Sequence, residues 1–181
     1  FKDKVALERE AAALLALKGA GLAVPALLSR SGERLFLEFI PGDTYDALVE
    51  EMVFEKAASL AYWLADYHRI TNALRGDVNL RNFIWTGEGC VGIDFEEVPR
   101  KGEREKDMGR IIAFAATYRP AFTLGKLKCA SLFLSAFLET GGQKDKIRQA
   151  YLDEICAMNL RRRESSVTMK SAVEFFDRLV C

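Results

Sequence analysis

Apolar positions in the opening segment recur at helical spacing. Leu7, Ala11, Leu14 and Leu17 fall at three- and four-residue steps, and Gly19 and Gly21 supply a stop, so a helix is predicted over about 4–18. Pro25 then marks a short connector. Arg34 to Ile40 is rich in β-forming side chains and ends at Pro41-Gly42, which predicts a strand followed by a turn. Asp43 or Thr44 is placed to cap a short helix through about Met52. A long helical period runs from about Phe54 to Thr71, with Ala57, Ala61, Leu64 and His68 on one face. It breaks into a polar, irregular stretch from Arg75 to Asn82. Two short apolar runs, Phe83-Ile84-Trp85 and Cys90 to Ile93, flank Thr86-Gly87-Glu88-Gly89 and predict a hairpin. Beyond a charged loop from Glu96 to Glu105, the remainder reads as helices over roughly 107–118, 123–140, 143–158 and 164–180. The pattern is that of an α+β chain: one strand and one hairpin in front, helices behind.

Composition narrows the class. Half of the 181 residues are hydrophobic and 29% are charged, enough for a core. No stretch approaches the roughly 20 unbroken apolar residues of a membrane span, and no signal-peptide pattern opens the chain. A formal net charge of zero gives no global pull toward nucleic acid or anionic membrane. The four cysteines, Cys90, Cys129, Cys156 and Cys181, form no C-x-x-C pair, and the chain has a single histidine, which argues against a Cys/His zinc site. Buried, reduced thiols in a cytoplasmic protein are the economical expectation.

Two acidic loops flank the predicted hairpin: Arg75-Gly-Asp77-Val-Asn79-Leu-Arg81-Asn82 before it, and Gly92-Ile-Asp94-Phe-Glu96 after it. Asn82 opens the first strand and Asp94 closes the second, so antiparallel pairing brings both to one end, with Asp77 a few residues before. An amide oxygen and a carboxylate are hard ligands suited to Mg²⁺ beside phosphate oxygens. A third carboxylate can orient an attacking hydroxyl and accept its proton. The set has the chemistry of phosphoryl transfer.

The stretch from Leu74 to Trp85, followed by Gly92-Ile-Asp-Phe-Glu96, resembles the H-G-D-x-x-x-x-N and I-D-F-[GE] motifs of the aminoglycoside phosphotransferase/choline kinase superfamily. The resemblance implies a protein-kinase-like fold, with residues 1–42 as a partial N-terminal lobe (helix C and hinge strand) and 43–181 as a mostly helical C-terminal lobe. It implies an ATP- and Mg²⁺-dependent kinase acting on a hydroxyl, with Asp77 as catalytic base and Asn82 and Asp94 as metal ligands. Glu8-Arg-Glu10-Ala resembles the start of helix C, Leu35 to Gly42 the hinge strand, Asp66-Tyr-His68 the end of the helix before the catalytic loop, and Lys106-Asp107-Met-Gly109 the support behind it. Two departures stand out. Arg75 replaces the usual histidine, and no Gly-rich loop or β3 lysine precedes Glu10, Lys2 and Lys4 being too close to it. Because Phe1 opens directly on a helical pattern, those elements are expected upstream of it; otherwise the chain is a degenerate kinase.

Glu10 shares the face of Leu7, Leu14 and Leu17, and a carboxylate buried there wants a cationic partner. Under the resemblance that partner is the β3 lysine, which adds Glu10 to the nucleotide-binding set, and Glu38, Phe39 and Ile40 present backbone groups to adenine. His68 is expected as a hydrogen-bonded core histidine below the loop, and Asp107 as an acceptor of backbone hydrogen bonds. Arg161 to Arg163 reads as a solvated face. The segment from Lys144 to Lys170 carries more Lys and Arg than Asp and Glu, which argues against a polycationic aminoglycoside substrate. The short connection from Asp94 to Asp107 has no A-P-E and no long activation loop, which favours a small-molecule acceptor. The alternatives are a compact atypical serine/threonine protein kinase of the RIO-like or lipopolysaccharide-kinase-like kind, and a non-catalytic pseudokinase.

Overall fold

The computed structural model describes residues 4–162 and 167–180, with the side chain of Arg162 excepted. Helix α1 (Lys4–Gly19) buries Leu7, Glu10, Ala11, Leu14 and Leu17, the face its sequence period defines. Strands β1 (Leu27–Ser31) and β2 (Arg34–Leu37) follow as an antiparallel hairpin with Ser29 opposite Phe36 and Arg30 opposite Leu35. The periodicity gave no sign of β1. Its Ser29, Arg30 and Ser31 are exposed, so no alternation of buried side chains marks it. The predicted strand from Arg34 stops at Leu37, and residues 38–40 form an irregular connector.

Asp43 and Thr44 do not cap a helix. They form β3 (Asp43–Thr44), which pairs with β4 (Phe83–Trp85), and β4 pairs in turn with β5 (Cys90–Gly92). Gly42 causes the change: at φ 148° its backbone lies against the Trp85 carbonyl, where a Cβ would collide, and the next two residues are delivered to the β4 edge. Only a single 3₁₀ turn, Val49–Glu51, remains of the expected short helix. Tyr45, just past β3, is fully buried and donates from its hydroxyl to the Lys56 carbonyl at 2.8 Å.

Helix α2 (Phe54–Thr71) turns Ala57, Leu60, Ala61, Leu64 and His68 inward and ends on Asn72 in the left-handed region. After the hairpin come α3 (Glu105–Thr117), α4 (Leu124–Glu139), α5 (Lys144–Arg162) and α6 (Met169–Asp177). Thr123 and Thr168 cap α4 and α6 by accepting from Lys126 N and Ser171 N. The last predicted helix, 164–180, begins among residues outside those described; its described part starts at Met169. The described residues include six α-helices, two 3₁₀ turns and two small antiparallel sheets. None of these helices is long and apolar enough to cross a membrane.

The core is continuous from Leu14 to Leu179 and runs across residue 42. Trp63 on α2 is the joint: its indole donates to Ala23 O at 2.7 Å, and its ring stands edge-on to Phe83 of β4. Of the cysteines, Cys90 and Cys129 are buried, and burial pushes both thiols well above the usual range. Cys156 departs from expectation, being exposed, because it lies on the outer side of α5. Cys181 is outside the described residues.

Helix α3 packs most extensively against α5. Gly109 allows this: a Cβ there would sit 2.6 Å from the Ala150 Cβ and 2.7 Å from the Tyr151 backbone nitrogen. Gly109→Val is therefore expected to lower stability by about 1–3 kcal/mol, although valine is the better helix former. Urea denaturation measures it, and an unchanged midpoint would show that the two helices do not approach so closely.

Candidate functional site

The loop between α2 and β4 has no ladder of its own, so its shape must come from side chains beneath it. One carboxylate supplies most of the support. Asp107, in the first turn of α3 and fully buried, accepts from Arg75 N at 2.7 Å and from Gly76 N at 3.3 Å. It also accepts from His68 Nε2 at 2.8 Å, and His68 rises from the last turn of α2. Leu74 N donates to Arg100 O at 2.7 Å, and Arg110 donates to Gly76 O at 3.2 Å. The backbone before Asp77 is thus held from both sides. Asp77 itself is half-buried, and its Oδ1 accepts from Asn79 N at 3.3 Å.

The loop then winds through a 3₁₀ turn, Leu80–Asn82. Asn79 caps that turn by accepting from Arg81 N at 3.2 Å, and the Tyr118 hydroxyl donates to the same oxygen at 3.1 Å. Burial pushes the Tyr118 hydroxyl up to about 12, so it remains a donor throughout the physiological range. Asn82 is buried, and its Nδ2 turns toward the Asp77 carbonyl at 3.4 Å. The opposite atom, Oδ1, is the one left for other partners.

Ile93 N donates to Asn82 O at 2.9 Å, extending the β4–β5 pairing past its last rung. Asp94 follows in the left-handed region at φ 64°, an uncommon conformation for a residue other than glycine. Arg75 holds this bend: its guanidinium donates to Ile93 O at 2.6 Å and to Asp94 O, and lies over the Phe95 ring at 4.5 Å. Burial pushes the Arg75 guanidinium down from the usual range, opposed by Tyr67 and by the carboxylates of Asp77, Asp94 and Asp107. These three acids therefore share one electrostatic neighbourhood around Arg75, and Asn82 is bonded to both loops. Among the described residues, no group of three or more His, Cys, Asp or Glu side chains is arranged to hold a metal.

The other sequence-predicted residues lie elsewhere. Glu10 is buried on α1 and borders a cleft with Arg34 and Leu35 to Leu37 of β2. Its neighbour Arg9 reaches the acidic loop instead, donating to Glu96 O at 2.7 Å. Glu38 points back at the connector, accepting from Ala26 N at 2.9 Å and from Lys18; these bonds hold its carboxyl below the usual range. Phe39 is 86% exposed and Ile40 half-buried, and neither takes a backbone partner among the described residues. Arg161 pairs with Glu154, while Arg163 lies outside the described residues.

Sequence reasoning missed the work of Arg75 and Arg110. Arg75 stands in the sequence only as a replacement for the usual histidine, yet its guanidinium joins the two acidic loops. A cation two residues before Asp77, with an Asp-Phe pair following the hairpin, was the available signal. Arg110 had none beyond its place one turn after Asp107. No protein-family model and no curated protein matches this chain.

Removing the Asp107 carboxylate would leave His68 Nε2 and two loop amides without their acceptor. Asp107→Ala is expected to cost about 3 kcal/mol or more, at the scale of 1–3 kcal/mol per buried unsatisfied group. A loss below about 1 kcal/mol in urea denaturation would show that the loop does not depend on it.

Proposed function

We propose that this chain is a Mg²⁺- and ATP-dependent phosphotransferase of protein-kinase-like fold that acts on the hydroxyl of a small molecule. One observation carries the reading: the Asp107-anchored loop presents Asp77, and the Ile93–Asn82 bond and the Arg75 clamp bring Asp94 to the same end of the hairpin. Under this reading α1 stands as helix C and residues 38–40 as the hinge; Glu38 N donates to Ala26 O, and the backbone groups of Phe39 and Ile40, which take no backbone partner among the described residues, suit an adenine edge.

The donor set fits a magnesium ion. Asn82 turns its Nδ2 to the Asp77 carbonyl, which leaves an amide oxygen, and Asp94 adds a carboxylate. Two hard protein oxygens are what Mg²⁺ takes when phosphates and water fill its remaining positions. Bound there, the ion would neutralise charge on the nucleotide phosphates. Asp77 would orient the acceptor hydroxyl and take its proton, and the anchoring of Arg75 and Gly76 just before it fixes where that carboxylate stands. Positioning of this kind supplies much of the rate in phosphoryl transfer. Residues 95–104 alone separate Asp94 from α3, too short a segment for an extended peptide-docking loop, which supports a small acceptor.

The test is a thermal-shift titration with ATP, GTP and ADP, with and without Mg²⁺. A nucleotide at about 100 times its dissociation constant adds roughly 2.7 kcal/mol, a readily visible shift. Asp94→Ala is expected to remove the Mg²⁺ dependence of that shift. Asp77→Ala is expected to keep the shift and to slow turnover roughly 10²–10⁴-fold. No shift with any nucleotide would defeat the reading.

A further inference from the structure

The loop that presents Asp77 forms one wall of a cleft of about 610 Å³. Neither Asn82 nor Asp94 lines it, so a ligand there reaches Asp77 from a side that the magnesium donors leave open. Five cationic side chains line the cleft: Arg100, Lys101, Lys106, Arg110 and Arg161. Against them stand Asp77, Glu97 and Glu154.

The pairing within this group is uneven. Glu154 is nearly buried and is shared by two arginines, Arg110 Nε at 3.2 Å and an Arg161 terminal nitrogen at 2.5 Å. One carboxylate balances only one of them. Arg110 also donates to Gly76 O, so the cationic cluster is bonded to the residue next to Asp77. Arg100, Lys101 and Lys106 form no ion pair among the described residues, although the chain as a whole is neutral. Like charges lining one cleft repel each other until an anion arrives. Apolar Leu74, Val98 and Phe114 supply the remaining surface, and the volume suits a small molecule.

We propose that this cleft is the acceptor site and that the acceptor is a small anionic hydroxyl compound, bearing a carboxylate or phosphate group beside the hydroxyl that reaches Asp77. This rests on the reading of Asp77 as the base. The acceptor oxygen bonds to the terminal phosphorus of the nucleotide, and the bond from that phosphorus to the bridging oxygen breaks. The bonding pair leaves with the nucleoside diphosphate, and the hydroxyl proton passes to the Asp77 carboxylate. The cationic side chains hold the acceptor's anionic group, and so fix which hydroxyl is presented to Asp77.

The experiment is calorimetric titration without nucleotide, using matched probes: gluconate against glucose, glycerol 3-phosphate against glycerol, and choline as the cation. We expect the anionic member of a pair to bind at least about tenfold tighter than its neutral partner, the scale of one charge-assisted hydrogen bond. Whether carboxylate or phosphate is preferred is read from the two pairs. Added NaCl should weaken the binding. Lys101 and Lys106 are exposed, so Lys101→Glu/Lys106→Glu is expected to fold, as its melting temperature will show, and to lose at least about tenfold in affinity for the anion. Equal affinity for neutral and anionic probes, preference for choline, unchanged affinity in the lysine variant, or tighter binding of an acidic seryl peptide would each overturn the proposal. Because these titrations contain no nucleotide, their failure is separate from absence of the Mg²⁺–nucleotide shift, which would defeat the phosphotransferase reading itself.

Discussion

The site depends on a buried carboxylate. An ionised group with no exposure, as at Asp107, costs several kcal/mol of desolvation unless donors surround it. Here His68 and two loop amides do so, and the position in the first turn of α3 adds the favourable end of the helix dipole. The dependence runs both ways. Asp107 needs those donors, and the loop, lacking a ladder, needs that acceptor. Because α3 is packed against α4 and α5, the loop takes its position from the centre of the helical body.

Arg75 carries this restraint to the second loop. Its backbone amide is held by Asp107, and its guanidinium spans to the Ile93 and Asp94 carbonyls and to the Phe95 ring. One terminal nitrogen serves both carbonyls while the planar group lies over the aromatic face, a stacking that a compact ammonium would not make. One side chain therefore transmits the position of α3 through the loop to the bend at Asp94. That bend is uncommon for a non-glycine residue, and such a conformation persists only where its surroundings over-determine it.

Much of the fold was legible in the sequence wherever one face of an element meets the core. The period of α2 gave both of its ends, Phe54 and Thr71, because its buried positions repeat at the helical period, and the hairpin was placed within a residue by two short apolar runs around a glycine-containing turn. Legibility failed where backbone geometry decides. Strand β1 exposes its side chains, and β3 exists because Gly42 brings the backbone against Trp85, so neither leaves a hydrophobic signature. The site divides in the same way. Asp77, Asn82 and Asp94 stood out as polar groups concentrated around a short hairpin. Arg75 and Arg110 act through backbone carbonyls, which carry no sequence signal of their own.

Neutral net charge was the least informative of the sequence properties, and the reason is one of length scale. Charges separated by more than the Debye length, about 8 Å at physiological ionic strength, scarcely feel one another. A 610 Å³ cleft is comparable in span to that length, so cations on its walls act together on whatever enters, while balancing acids elsewhere on the surface are screened. Glu154 sharpens the effect. By holding Arg110 and Arg161 in place it lowers the conformational cost of presenting two guanidiniums, yet cancels only one of their charges. Asp77 belongs both to the acidic neighbourhood of Arg75 and to the lining of the same cleft. The carboxylate thus stands where the two fields meet. An anionic group drawn to the cations is kept from Asp77 by repulsion, while a neutral hydroxyl beside it is free to approach.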